Sequence, residues 1–548
     1  MKTYEFDGVI IGGGHNALVL AGYMAKSGLK VAILERTSHI GGGLATEEYP
    51  LYPGFYHEYH AQFHRNVPNL PWFKDLELSE YGVEYIYPEV NNGMPFKSGK
   101  NLIIHADPNV SRKSIGRISK RDAEIYYEVY HKYEEMAKKI WFVRDYSPPL
   151  SPEEEESLLS KSETGKQFLE IMRRSAYSVI DEMFESTEMK ALYLFLYSVR
   201  GYLPSPEAKN TGFAAVAMTY LGNKAMLPMG GSRNLAYALA WMVTSYGGKI
   251  FLSSEVNKIL IKEGKAVGVE TVDGRRFMAR KFVVSSVDPT QTFLRFVGEE
   301  YLDKDFVRKV KSYKYGVSGK SFGVLFALHA GTHEPPKYTS SSYDSMINLA
   351  FNTAIGYETP ELVLKHLNEV TEGKLPTEIG LQAACPTLFD PTRAPPGKHV
   401  LLAWQFVPYR IEGEKPERWD EIKWDFLEKV IAKWAEYAPN LNPRGNNIIY
   451  KFPQTPLDVE RHLINMREGD FHVGALIPEQ LGFNRPFREV SNYRTPIKNL
   501  YITGASTHPT GNITGAPGYN TARVIAEDLG LKLWWNPPDP RKVWSELK

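Results

Sequence analysis

Cysteine is almost absent from this chain: Cys385 is the single example among 548 residues. One cysteine excludes an intramolecular disulfide, a CxxC redox pair and a zinc site built from several cysteines. The absence of disulfides fits a reducing compartment.

Net charge and long apolar runs are also lacking. Lys and Arg together number 65 against 64 Asp and Glu, a net charge of +1, so nothing favours nucleic acid as a partner. No apolar run approaches the roughly 20 residues of a spanning helix, and the N-terminus lacks the pattern of a secretory signal. We expect a cytoplasmic protein of two or more domains, at most peripheral at a membrane.

The N-terminal segment predicts a βαβ unit. The apolar run Phe6–Ile11 is typical of a buried parallel strand, and residues 16–28 have helical spacing with one small-residue face. Residues 30–35 form a second apolar run that ends in a carboxylate. The predicted order is therefore strand, glycine turn, helix and strand.

The glycine turn carries a dinucleotide-binding fingerprint. Gly12-x-Gly14-x-x-Ala17 precedes the helix, and Glu35 follows about 20 residues on. Gly12 permits a tight turn, Gly14 lets the backbone approach a pyrophosphate, and Glu35 would accept hydrogen bonds from a ribose diol. The helix N-terminus offers free N–H groups to the pyrophosphate, and it begins at His15, Asn16 and Ala17.

The residues after Glu35 distinguish between cofactors. Arg36 could bind the 2′-phosphate of NADP, but Glu35 would repel that phosphate. The Glu-Arg pair is followed by a second glycine loop at Gly41, Gly42 and Gly43, which is typical of FAD, whose pyrophosphate such a loop wraps. The sequence predicts FAD, and Cys385 is too far in sequence from the glycine segments to favour covalent attachment.

Further motifs resemble those of the bacterial-type phytoene desaturases within the superfamily of FAD-dependent amine oxidases. They span nearly the whole chain: Glu35-Arg36, Gly41-Gly42, Thr46–Glu48, Pro228–Ser232, Val283–Pro289 and Gly504–Asn520. Three segments most resemble the branch of pyridine nucleotide-disulfide oxidoreductase domain-containing protein 2: Gly469–His472, Arg485-Pro486 and Gly515–Asn520.

The resemblance implies an α/β fold with a Rossmann-type FAD-binding domain and a second, substrate domain of mixed sheet and helices. The expected boundaries are 1–75, 225–318 and 490–530 for the discontinuous FAD domain, 76–224 for the helical part of the substrate domain, 319–489 for its sheet-containing part and 531–548 for a tail. The backbone of Val256 is expected to meet the adenine. The expected flavin contacts are Gly504, Ala505, Gly515, Pro517, Gly518 and Tyr519.

The C-terminal glycine loop also has a physical interpretation. Pro517 stands where the first residue of a helix is expected, and Tyr519 onward has helical spacing. The positive end of that helix would face the flavin, where negative charge develops when a hydride arrives, and would favour substrate oxidation.

Candidates for catalysis and substrate contact each have a simpler alternative. His508 in the flavin loop is a catalytic candidate or stabilises its loop, and Lys320 is a catalytic candidate near the flavin or a solvated strand residue. His57 and His60 line a substrate cavity or belong to an ordinary polar-aromatic surface. We do not expect a metal site at these histidines.

The leading functional hypothesis is hydride removal from a C–H bond of a small hydrophobic substrate, isoprenoid- or carotenoid-like, in a desaturase or dehydrogenase. The alternatives are a flavin amine oxidase that releases hydrogen peroxide, a redox-neutral isomerase with reduced FAD, and a flavin-bearing scaffold. Oxygen and a quinone are the candidate electron acceptors. The tryptophans of the tail, Trp534, Trp535 and Trp544, would touch a membrane, their own domain or a second subunit.

Overall fold

The computed structural model describes residues 2–316 and 324–547. The strands are β1 (Thr3–Ile11), β2 (Val31–Leu34), β3 (Thr46–Glu48), β4 (Tyr56–Glu58), β5 (His64–Arg65), β6 (Tyr85–Ile86), β7 (Val90–Pro95), β8 (Asn101–His105), β9 (Ala225–Pro228), β10 (Lys249–Phe251), β11 (Val256–Lys262), β12 (Lys265–Thr271), β13 (Arg276–Ser285), β14 (Leu325–Thr332), β15 (Asn352–Ile355), β16 (Leu381–Ala384), β17 (His399–Phe406), β18 (Ile448–Gln454) and β19 (Leu500–Ile502).

The α-helices are α1 (His15–Lys26), α2 (Pro71–Asp75), α3 (Pro108–Gly116), α4 (Lys120–Met136), α5 (Phe142–Asp145), α6 (Pro152–Leu159), α7 (Glu163–Arg173), α8 (Ala176–Met183), α9 (Thr187–Ser198), α10 (Gly212–Leu221), α11 (Arg233–Ser245), α12 (Lys304–Lys311), α13 (Pro360–Thr371), α14 (Arg418–Ala435), α15 (Pro456–His462), α16 (Ala516–Asp528) and α17 (Pro540–Ser545). Two π-helical segments, Ala137–Trp141 and Gln291–Val297, lie beside the cavities described below.

The first sheet is built from three separated parts of the chain. Its order is β10-β2-β1-β13-β12-β11, with β19 also paired to β13. The β1, β2, β10, β13 and β19 pairings are parallel, whereas β11 and β12 form an antiparallel extension. Apolar residues at the carboxyl end of β1 and throughout β2 are buried, as expected for parallel strands covered on both faces.

Helix α1 lies between α11 and α16 on one face of this sheet. A glycine permits the close approach of α16, because a Cβ at Gly518 would lie 2.1 Å from the backbone oxygen of Asn16. The first and last parts of the chain are thus packed directly against each other.

The second sheet has the order β18-β14-β17-β16-β15-β7-β8. Helices α3 to α10 account for most of the segment 76–224, for which the sequence predicts helices. That segment also contributes β7 and β8, which join the sheet through a parallel pairing of β7 with β15. The two strands are short and almost wholly buried. They form one edge of a sheet whose remaining strands come from residues 325–454.

The C-terminal tail docks on its own fold. Trp535 and Trp544 are buried, and Trp544 Nε1 donates to the backbone oxygen of Lys139 at 3.1 Å. Trp534 stacks on Tyr23 and donates to Ser27 Oγ at 3.0 Å. These contacts agree with the second of the three sequence alternatives. Across 2–316 and 324–547, no helix combines the length and apolar character needed to cross a bilayer.

Candidate functional site

The glycine turn after β1 adopts the geometry that the fingerprint predicts. Gly12 has a φ of +92°, which favours glycine, and α1 begins directly after Gly14. The Glu35 carboxylate lies beneath the turn, where Oε2 accepts from the Gly13 N–H at 2.8 Å and Oε1 accepts from the Thr37 N–H at 2.8 Å. This carboxylate therefore fixes the turn at the carboxyl end of β2.

The second glycine loop lies against the first. The Gly41 N–H donates to the Gly13 backbone oxygen at 2.9 Å, and a Cβ at Gly42 would lie 3.2 Å from Gly14 Cα. In contrast, a Cβ at Gly14 would meet no protein atom within 4 Å. The backbone at Gly14 thus faces open space at the start of a helix, which is the cradle that a pyrophosphate requires.

That space is part of a cleft of about 1080 Å³. The residues of the sequence-predicted FAD set that line it are Gly12, Gly14, His15, Asn16, Glu35, Arg36, Gly42, Gly43, Val256, Gly504 and Ala505. Ala17 is fully buried within α1, and Gly41 lies behind the turn. The cleft combines the N-terminus of α1, a carboxylate and a second glycine loop, and these features fit FAD.

The remaining four predicted flavin contacts occupy a different position. Gly515, Pro517, Gly518 and Tyr519 begin α16, which packs on α1, and they are not among the residues that line the cleft. The Tyr519 ring packs edge-on against Tyr23 and Tyr146. Gly511 and Asn512 line the cleft in their place, while direct flavin contact by the α16 residues stays a prediction.

Two further cavities continue from the cleft. The second cavity, of about 800 Å³, shares His15, Gly43, Met466, Phe471 and Asn512 with the cleft. The third cavity, of about 1760 Å³, shares five lining residues with the second: Phe63, Arg65, Arg200, Asn512 and Ile513. A continuous set of lining residues therefore leads from the nucleotide cleft into the helical part of the molecule.

Arg485 supports the loop between the cleft and these cavities. Its buried guanidinium donates to the backbone oxygens of His472 at 2.8 Å and Ala505 at 2.7 Å. Arg485 thereby ties the predicted flavin loop to the segment that carries Phe471. The sequence motif around Arg485 marks a resemblance but does not reveal this role.

The histidine cluster divides between the second cavity and the protein core. His60 lines the second cavity, and its Nε2 lies 3.1 Å from His462 Nδ1. Burial lowers the pKa of His60 to about 3, so it is neutral at physiological pH. His57 is buried away from the cavities, 2.7 Å from the Tyr450 hydroxyl. No cluster of three potential ligands within the described ranges could hold a metal ion.

His508 is not among the residues that line the nucleotide cleft. Its Nε2 is 2.9 Å from the backbone oxygen of Arg144, and burial lowers its pKa to about 3. These contacts agree with the loop-stabilising alternative for His508, and its catalytic role stays a prediction. Lys320 falls in 317–323, outside the described residues. Cys385 is buried and does not line the cleft, and burial raises its thiol pKa to about 12.

Several lining residues come from segments that the sequence patterns do not mark. They are Gln291, Arg295 and Phe296 on the π-helical segment and Leu463, Ile464, Asn465 and Met466 after α15. They reach the cleft because the chain crosses between the two sheets at these points. In the sequence, the residue pattern of these segments is the same as that of an ordinary connecting loop.

Comparison with known proteins agrees with this geometry. The model of the flavin containing amine oxidoreductases matches residues 18–526. One of the subunits of the limonene dehydrogenase of Castellaniella defragrans is 34% identical over 98% of this chain and 97% of its own. Pyridine nucleotide-disulfide oxidoreductase domain-containing protein 2 of Rattus norvegicus is 28% identical over 96% of this chain and 94% of its own.

A neurosporene-forming phytoene desaturase of Cereibacter sphaeroides is 27% identical over 55% of this chain and 52% of its own. Among solved structures, a triple mutant of putrescine oxidase is similar with a TM-score of 0.61 at 14% identity, over 97% of this chain and 100% of that one. At this identity the likeness is one of fold.

Fold and cleft together define a two-domain FAD-dependent oxidoreductase. The chain belongs to the family of flavin containing amine oxidoreductases. The predicted fold class, the cofactor and the resemblance to phytoene desaturases and the rat protein's branch are thereby confirmed.

Proposed function

We propose that this protein is a dehydrogenase or desaturase that removes a hydride from a C–H bond of a hydrophobic substrate in the second cavity. The observation that carries the proposal is the apolar lining of that cavity where it adjoins the nucleotide cleft. Its apolar members are Leu44, Ala61, Phe63, Val199, Leu325, Trp404, Met466, Phe471 and Ile513. Such walls bind hydrocarbon surface and exclude water.

The relatives support the same class of substrate. The names of the Castellaniella protein and the Cereibacter protein refer to limonene and phytoene, both of which are isoprenoid hydrocarbons. Bound FAD supplies the two-electron acceptor. In the proposed reaction, the substrate loses a hydride to the cofactor and a proton from the adjacent carbon to water, and a C=C bond forms.

The chain's own residues would position the reactants. Arg485 holds the Ala505 backbone in place, and Met466 and Phe471 border both the cleft and the second cavity. His60 is neutral there, so it would offer a polar contact without a charge. Oxygen or a quinone remains the proposed final acceptor.

The cationic lining gives less support to an amine oxidase. A protonated amine would meet the guanidinium groups of Arg65 and Arg200, which line both the second and the third cavity. Like charges at close range disfavour binding in a partly desolvated site. The dehydrogenase proposal avoids this conflict because a hydrocarbon carries no positive charge.

Anaerobic mixing of the FAD-loaded protein with two panels of compounds tests the proposal. One panel holds acyclic and cyclic isoprenoids in micelles, and the other holds small primary amines. We expect isoprenoids to bleach the visible flavin absorption, with a product that contains one more double bond. Bleaching by amines alone, with hydrogen peroxide formed on aeration, would identify an amine oxidase; no bleaching by either panel would favour an isomerase or a scaffold.

A further inference from the structure

Two arginines lie at the junction of the second and third cavities. Arg65 ends the short strand β5, and Arg200 follows α9, so they approach the cavities from separate parts of the chain. Both line the two cavities. They therefore lie where a ligand extending from the flavin side toward the helices would pass.

No carboxylate oxygen within the described ranges lies within 4.0 Å of the Arg65 or Arg200 guanidinium. The Asp145 carboxylate is further away but close enough to raise the pKa of Arg200 against the effect of burial. Arg65 Nη1 donates to the backbone oxygen of Leu221 at 3.0 Å. Burial, and then the charge of Arg200, lowers the pKa of Arg65 to about 9, and burial lowers the pKa of Arg200. The two guanidinium groups are half-buried and repel each other, and a ligand that supplies negative charge would relieve this repulsion.

The surrounding acids supply only part of this negative charge. Of the two acids that line the third cavity, Glu134 is paired with Lys138 at 2.8 Å. The other is Asp145, whose pKa burial raises to about 7, so its negative charge is incomplete at neutral pH. Lys224, a further cation of the lining, lies 5.0 Å from the centre of the Tyr220 ring.

Aromatic and aliphatic surface lies on both sides of the arginine pair. The third cavity contributes Leu70, Ala137, Trp141, Phe142, Ala217 and Ile513. The second cavity contributes the apolar residues named above, next to the nucleotide cleft. The arrangement is amphipathic: apolar walls border a small cationic centre.

We propose that Arg65 and Arg200 form an anion-binding site that holds the acidic group of an amphiphilic substrate, with its hydrocarbon part directed toward the flavin. The inference rests on the proposed function and specifies the substrate class as a hydrophobic carboxylate or phosphate. The planar fork of arginine suits both anions, because each presents two oxygens to parallel N–H donors. The anion would set which C–H bond reaches the reactive end of the cavity.

Binding, rather than turnover, tests this site. The FAD-loaded protein is titrated without oxygen with citronellate, citronellyl phosphate and citronellol, and Kd is measured from the change in the visible flavin spectrum. These probes share one C10 chain and differ in the head group. We expect at least one anion to bind about tenfold or more tightly than the alcohol, which corresponds to about 1.4 kcal/mol. The tighter of the two anions identifies carboxylate or phosphate as the preferred group.

Variants locate the effect. Arg65→Gln and Arg200→Gln should each reduce the preference for the anion to about twofold or less, whereas Arg65→Lys and Arg200→Lys should retain part of it. Arg112→Gln, an exposed arginine paired with Glu124, is the matched control and should bind as the parent does. FAD content and melting temperature are measured for every variant, so that a misfolded protein is recognised. If a glutamine variant misfolds, the head-group preference of the corresponding lysine variant is used in its place.

The proposal is overturned if neither anion binds, if alcohol and anions bind equally, or if the preference survives in both glutamine variants. It is also overturned if the glutamine variants fold but lose FAD, since the arginines would then serve the cofactor. A preference for the anion without flavin bleaching by any isoprenoid would support the anion site and contradict the proposed oxidation. Bleaching by isoprenoids without a preference for the anion would support the proposed oxidation and contradict the anion site.

Discussion

The His15 ring nitrogen Nε2 lies 3.1 Å from the backbone oxygen of Asn512, a residue 497 positions further along the chain. Burial lowers the pKa of His15 to about 4, so the neutral ring donates Nε2–H to this carbonyl near neutral pH. Both residues line the nucleotide cleft and the second cavity. The contact joins the glycine turn after β1 to the C-terminal loop where the nucleotide cleft meets the second cavity.

The open space at Gly14 predicts a variant that separates cofactor binding from folding. Gly14→Ala places a methyl group where no protein atom lies within 4 Å, and the φ of −67° at this position suits alanine. We expect a change in apoprotein stability of about 1 kcal/mol or less and a loss of FAD affinity of tenfold or more. Flavin fluorescence titration measures the affinity, and thermal melting of the apoprotein measures the stability. An unchanged affinity for FAD would contradict the assignment of Gly14 to the pyrophosphate site.

Gly518→Ala should instead lower the stability of the apoprotein. Its Cβ would lie 2.1 Å from the Asn16 backbone oxygen, so α16 must move away from α1. We expect a loss of about 1–3 kcal/mol in the free energy of unfolding of the apoprotein, measured by urea denaturation. The same stability as the parent would show that the two helices are not packed as closely as described.

Arg485→Lys should weaken the flavin loop while it keeps the positive charge. One ammonium cannot replace the guanidinium donors to both His472 and Ala505, and a hydrogen bond from a charged donor is worth about 1.5–3 kcal/mol. We expect a lower melting temperature and weaker FAD binding. Arg488→Lys, at an exposed position three residues away, is the control and should change neither quantity. If Arg485→Lys and Arg488→Lys changed melting temperature and FAD binding equally, Arg485 would have no special role in positioning the loop.

Buried histidines predict loss of stability in mild acid. Burial lowers the pKa of His60, His64 and His508 to about 3, below the value near 6.5 of an unfolded chain. The unfolded state therefore binds more protons below pH 6.5. The stabilisation is complete above that pH and is lost as pH falls toward 3, by up to about 1.4 kcal/mol per pH unit for each histidine.

The melting temperature should accordingly fall between pH 6.5 and 4.5. His64→Gln should make this dependence shallower, whereas His131→Gln, at an exposed position, should leave it as in the parent. A slope that is the same in both variants would contradict the contribution assigned to His64.

Asp145 predicts a pH dependence for binding of an anionic probe. Burial raises its pKa to about 7, against the opposing effect of Arg144 and Arg200 and a hydrogen bond with Trp141. Its negative charge therefore develops as pH rises through 7 and repels a bound anion. We expect citronellate, ionised throughout, to bind several-fold more weakly at pH 8 than at pH 6, and Asp145→Asn to remove most of the difference. Stronger binding at pH 8 would contradict this assignment.

The sequence predicts the nucleotide-binding part well because its signals are local. The β1 and β2 strands end in apolar runs, Gly12 and Gly14 lie in the turn after β1, and Glu35 directly follows β2. In the loop after β19, Gly504 and Ala505 line the cleft, whereas Gly518 and Tyr519 pack against α1, and their contact with the flavin stays a prediction. A glycine needed for packing and one needed by a ligand look the same in a sequence.

The substrate side depends on contacts between distant segments. Arg65 and Arg200 belong to different elements, and each resembles a surface arginine until the fold brings both to one cavity. Strands β7 and β8 are short, and their place in the second sheet depends on a parallel pairing with β15, 260 residues away for Asn92 and Asn352. Such pairings leave no periodic signal in the sequence.

The most direct test of the central claim is an anaerobic single turnover of the FAD-loaded protein with an isoprenoid that bleaches it, compared with the same compound deuterated at the reacting carbon. If a hydride leaves a C–H bond, deuteration slows bleaching several-fold and one additional double bond forms for each flavin reduced. Bleaching at an unchanged rate, with the isoprenoid recovered intact, would contradict hydride removal from a C–H bond.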